Sequence, residues 1–80
     1  MKTVNKRILP KYFAEVRAGN KNFELRKDED DIQVGDKLQL HEWDEEKGCY
    51  TRECEVRIVK YVLCNVPAYG LQEGYCIIGW

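Results

Sequence analysis

The chain has 80 residues, of which 44% are hydrophobic, and a formal charge of −1. This makes one domain with a modest core, since a chain of this size buries about 60% of the surface its unfolded form exposes. No run approaches the ~20 apolar residues of a membrane span, and residues 1–8 lack the apolar stretch of a signal peptide, so the expectation is a soluble, cytoplasmic protein.

The near-neutral total conceals an asymmetry. Residues 1–27 carry eight cations and two anions, whereas residues 28–55 carry eleven acids and three cations. Either the basic third offers a face to an anion, or the two blocks meet in the fold and neutralise. Cys49, Cys54, Cys64 and Cys76 are spaced by 5, 10 and 12, with no C-x-x-C pair and with His41 as the only histidine. That pattern speaks against zinc and for buried reduced thiols, and no cofactor or metal is expected.

In chain order, Pro10 to Ala18 reads as a short helix, with proline in the first turn and Gly19 at the left-handed position past its end. Tyr12, Phe13 and Val16 share one side, which should pack on a sheet. From Lys21 the period becomes two. Phe23 and Leu25 are expected to be the buried face of a strand, and Glu24 and Arg26 same-side neighbours on the other. Residues 27–31 (Lys27, Asp28, Glu29, Asp30, Asp31) should be a solvated loop, and Val34-Gly35-Asp36 a turn.

Residues 37–43 alternate as a strand with Leu38 and Leu40 inward, and residues 44–48 fit a hairpin loop. Cys49 to Leu63 reads as one long strand in which Cys54, Val56 and Ile58 alternate, with a bulge near Val59 to Tyr61. A loop with Pro67 and Gly70 leads to a final apolar strand, Tyr75 to Trp80, whose two end aromatics are expected in the core. Trp43 and Tyr50, on either side of the hairpin loop, form a cross-strand pair or a stacking platform. Tyr69 is the aromatic expected to be exposed, and His41 a solvated histidine. Short strands with one early helix make an α+β domain, read as an antiparallel sheet curled into a partly closed barrel.

Gly19, Lys21, Glu24 and Arg26 match the G-x-K-x-x-E-x-R signature of the ASCH domains, a branch of the PUA-like superfamily of RNA-associated β-barrels. Residues 8–13, 23–27, 34–38, 42–44 and 70–75 resemble, in order, a compact group of phage and bacterial ASCH-like domains of uncharacterised function. The resemblance implies a single PUA-like barrel over residues 1–80, with a cleft where the signature strand meets the helix end. It also implies binding of RNA or a nucleotide-like anion. Lys21 would supply a phosphate-directed charge, Arg26 a planar fork and Glu24 an acceptor for an exocyclic amine, with Arg17 and Lys27 assisting. Trp43, Tyr50, Tyr69 and Tyr75 are the aromatics available to stack on bases.

Two alternatives stand beside this expectation. Some ASCH-like proteins are amidohydrolases acting on acetylated cytidine, and here Lys21 would be the amine or oxyanion donor and Glu24 the acid or base. In that branch, however, a hydroxyl residue stands where this chain has Glu24, and the loop around Glu73, the only acid after Glu55, does not match its C-terminal carboxylate motif. The other alternative is a protein-interaction module that meets a basic partner through the acidic 28–55 segment, with Asp28, Asp30 and Asp31 at its front.

Overall fold

A computed structural model describes residues 1–80. Its elements run β1 (Thr3–Ile8), α1 (Pro10–Arg17), β2 (Phe23–Lys27), β3 (Lys37–Asp44), β4 (Cys49–Ile58), β5 (Tyr61–Cys64), a 3-10 turn (Pro67–Tyr69) and β6 (Tyr75–Gly79). The chain is therefore α+β, with six strands in two three-stranded sheets. Sheet A has the order β1-β3-β4 and sheet B the order β2-β6-β5. No helix is long and apolar enough to cross a membrane.

Three expectations about the strands are corrected. Thr3–Ile8 is a strand, and its alternation of Val4, Lys6 and Ile8 is masked in the sequence by the charges of Lys6 and Arg7. This strand lies parallel to β3, from Thr3 opposite Lys37 to Ile8 opposite Glu42, so the sheets are not wholly antiparallel. The Cys49 to Leu63 stretch is two strands, because Val59 is buried and the chain passes at Val59–Lys60 from sheet A into sheet B. Along β4, moreover, Val56 and Ile58 face outward and are exposed, while Glu55 and Arg57 stand opposite the buried Leu40 and Leu38.

The core fills the space between the sheets and the helix. Val4 and Ile8 from β1, Phe13 and Val16 from α1, Leu38 and Leu40 from β3, Val59, and Ile78 from β6 are all buried. Tyr12, one residue from Phe13 on the helix, stays largely exposed instead of joining them. No ladder joins the two sheets, and β1 and β2 leave a seam at which Lys6 of β1 pairs with Asp30, just past the end of β2.

The helix ends as its sequence dictates. Gly19 takes φ +81°, and the Asn20 and Gly19 N–H groups donate to the Glu15 and Val16 carbonyls at 2.9 and 3.0 Å. These two bonds satisfy carbonyls that the last turn leaves open. The charge blocks partly neutralise. Lys2 pairs with Asp36 at 2.7 Å, Lys6 with Asp30, and Arg17 with Glu53 and Glu55 at 3.1 and 3.4 Å.

Candidate functional site

The turn after Gly19 delivers Lys21 to the foot of β2, and β2 sits antiparallel to β6 with Phe23 opposite Gly79 and Glu24 opposite Ile78. Because Ile78 is fully buried, the shared face of this pair is the inner one. The expected facing of β2 is therefore inverted: Glu24 is only 5% exposed, whereas Phe23 and Leu25 are 47% and 56% exposed. A buried carboxylate demands compensation, and the neighbouring cations supply it. Lys21 Nζ contacts Glu24 Oε1, and Arg26 Nε donates to Glu24 Oε2 at 2.7 Å.

Both cations are held further. Lys21 Nζ donates to the Phe23 carbonyl at 2.7 Å and lies over the Tyr12 and Phe23 rings, 5.7 and 5.0 Å from their centroids. Arg26 Nη2 donates to the Arg7 carbonyl across the seam, which ties β2 to the end of β1. The signature thus builds a rigid cation–carboxylate–cation cluster in which each member fixes the next.

Around this cluster opens a cleft of about 480 Å³, lined by Arg7, Ile8, Leu9, Tyr12, Lys21, Phe23, Glu24, Leu25 and Arg26. Three cations against one carboxylate give it a net positive charge. Its walls are apolar and aromatic, the usual composition of a small-ligand site with a few placed polar groups. Arg7 makes no side-chain hydrogen bond, and its guanidinium carbon lies over the Trp43 ring at 4.5 Å from the centroid. A contact of this kind steadies a guanidinium while leaving its edge donors free.

The backbone of β2 adds a donor and an acceptor. The Trp80 N–H donates to the Asn22 carbonyl at one end of the β2–β6 ladder, and the Asp28 N–H to the Gly74 carbonyl at the other. Alternation then turns the peptide groups of Asn22, Glu24, Arg26 and Asp28 toward β6 and those of Phe23, Leu25 and Lys27 to the free edge. Leu25, a cleft residue, presents its N–H and C=O side by side on that edge.

The residues expected at the site divide into three groups. Lys21, Glu24 and Arg26 come together as the cleft's polar core. Trp43 lies next to the cleft beneath Arg7; its ring also packs edge-on against Tyr50, with centroids 4.8 Å apart, so the expected cross-strand pairing is present. Arg17, Lys27 and Tyr69 do not line the cleft. Arg17 is committed to Glu53 and Glu55, and the Glu53 hydrogen bond raises its guanidinium above the ordinary value. Tyr69 is 90% exposed on the 3-10 turn, as expected of it, but away from the cluster.

Sequence reasoning missed Arg7, Tyr12 and the Ile8-Leu9 wall. The signal was present in Arg7-Ile8-Leu9-Pro10, where a strand end runs into a helix start, but β1 had to be seen before Arg7 could be placed beside β2.

Fold and cleft together define a small α+β domain with one electropositive, aromatic-walled cleft at an open sheet seam. It belongs to the family described as a domain of unknown function (DUF3850), whose model matches residues 4–80. No curated protein matches the chain.

Proposed function

We propose that this domain is an ASCH-type, PUA-like module that binds RNA or a nucleotide-like anion in the cleft between the end of β1 and β2. Arg7 carries the reading. A guanidinium free of hydrogen bonds and held over the Trp43 ring beside the Lys21–Glu24–Arg26 cluster is a fork for a phosphate or a carboxylate. Tyr12 and Phe23 offer flat apolar surface for a base, and the Leu25 peptide offers a donor and an acceptor for its edge. The path of the chain supports the barrel-like part of the proposal. At Val59–Lys60 the chain passes from β4 of sheet A into β5 of sheet B, so the two sheets lie against one shared core, and β1 and β2 leave the seam where the cleft lies.

The test is a titration of nucleoside monophosphates and short single-stranded RNA at low salt, with Arg7→Ala and Arg26→Ala beside the parent chain. Loss of affinity on the order of tenfold per cation is expected. Equal binding by all three proteins, or none by the parent, overturns the proposal.

Amide hydrolysis is less well served by the same residues. Lys21 and Glu24 are in contact, but both Glu24 oxygens accept from cations, and the cleft lining contains no serine, threonine or cysteine. Incubation with N4-acetylcytidine is expected to release no cytidine above a blank. Acid-directed recognition of a basic protein has lost part of its surface, since Asp30, Asp36, Glu53 and Glu55 are engaged within the chain.

A further inference from the structure

Cys64 on β5 stands directly opposite Cys76 on β6. The alternation that turns the Asn22, Glu24 and Arg26 peptide groups toward β6 also turns those of Cys76 and Ile78 toward β2, so none of the Cys76 backbone bonds goes to β5. Cys64 and Cys76 therefore form a non-hydrogen-bonded cross-strand pair, the closer of the two antiparallel pair types, with Cα atoms about 4.5 Å apart. That separation falls at the short end of the range a disulfide spans, and both side chains project from the same face of sheet B.

The two thiols differ in access. Cys76 is 2% exposed, and burial pushes its thiol above the ordinary value. Cys64 is partly exposed and lines a second cleft of about 250 Å³ with Asp28, Asp31, Gln33 and Tyr61 among its walls. An oxidant therefore meets Cys64 first, and the two aspartates at that opening favour an uncharged one.

We propose that Cys64 and Cys76 are an oxidation site, a thiol pair that hydrogen peroxide converts to a disulfide joining β5 to β6. The Cys64 thiolate attacks one peroxide oxygen, the O–O bond breaks, and hydroxide leaves to be protonated as water, giving Cys64 sulfenic acid. The Cys76 sulfur then attacks the Cys64 sulfur, the S–O bond breaks, and the departing hydroxide takes the Cys76 proton as a second water. The two sulfurs are oxidised by two electrons in all and one peroxide is reduced. The new bond closes the segment that holds the 3-10 turn and Tyr69, and it places the cross-link beside Arg26, which is opposite Cys76 on the other side of β6. This site stands on strand register and is independent of the proposed ligand cleft.

The experiment treats the folded full chain with equimolar hydrogen peroxide, blocks remaining thiols by alkylation, and maps the cysteine peptides by mass spectrometry. The expected result is one cross-linked peptide pair carrying Cys64 and Cys76, two hydrogens lighter than its parts, restored by dithiothreitol. In a Cys49→Ser, Cys54→Ser background the oxidised protein should melt at a higher temperature than the reduced one. Cys64 halted as a sulfenic acid, a cross-link through Cys49 or Cys54 instead, or a bond formed only in denaturant would each overturn the proposal.

Discussion

Glu24 faces Ile78 across the β2–β6 ladder on the inner side of sheet B, and both side chains are buried. A carboxylate in a row otherwise built for the core is tolerated because Lys21 and Arg26 close on its two oxygens. Glu24→Gln keeps the shape and removes the charge, leaving two cations without a counter-ion. Because both cations retain some solvent access, the expected loss is about 1–3 kcal/mol, less than for a fully buried pair broken on one side. Urea denaturation measures it. The same variant gains one positive charge at the cleft, so its affinity for an anion should rise and fall off more steeply with salt. An unchanged denaturation midpoint would place Glu24 at the surface.

Trp43 acts on the cleft through Arg7. If the ring serves to hold the guanidinium, Trp43→Leu should weaken nucleotide binding a few-fold in the parent chain and have little further effect once Arg7 is alanine. A double-mutant cycle read by equilibrium titration gives the coupling directly. Additive losses would mean that Trp43 touches the ligand by itself, as the base-stacking expectation holds.

The helix, its glycine stop, the β3–β4 hairpin and the last strand were legible because each is written in local terms: proline first, glycine last, Leu38 and Leu40 two apart, turn residues between. The cluster of Lys21, Glu24 and Arg26 was legible as a group, yet its orientation was not. A period of two says which residues share a face but not which face is buried, and Phe23 and Leu25 are the more apolar set. The answer lies with Ile78, more than fifty residues away. Arg7 was invisible for a related reason, since its place depends on β1 pairing in parallel with β3 and so on a contact that no local pattern encodes.

Asp36 gives the fold a pH-dependent anchor. Its carboxylate accepts from the Lys2 side chain at 2.7 Å, the Lys2 backbone N–H at 2.9 Å and the Gln33 backbone N–H at 2.9 Å, and together these hold it well below the usual carboxylate range. A carboxyl more acidic in the folded than in the unfolded chain stabilises fully above its unfolded pKa and loses that contribution as pH falls. Asp36→Asn should therefore be less stable than the parent at neutral pH, with the gap closing below about pH 4. Denaturation midpoints of both proteins across an acid series check this. A constant gap would show that the carboxylate's charge plays no part.

Gly19 stands two residues before Lys21, and its role can be separated from that of the residues it precedes. At φ +81° an L-residue is strained, yet a Cβ built there meets nothing within 4 Å. Gly19→Ala should therefore cost only conformational energy, about 1 kcal/mol, with no clash to relieve. If the glycine is there to end the helix and aim Lys21, the folded variant should bind nucleotide with nearly the parent's affinity while its melting temperature falls by a few degrees. Were the backbone at Gly19 instead to touch the ligand, affinity would drop with the melting point. Calorimetric melting and a binding titration on the same preparation distinguish the two.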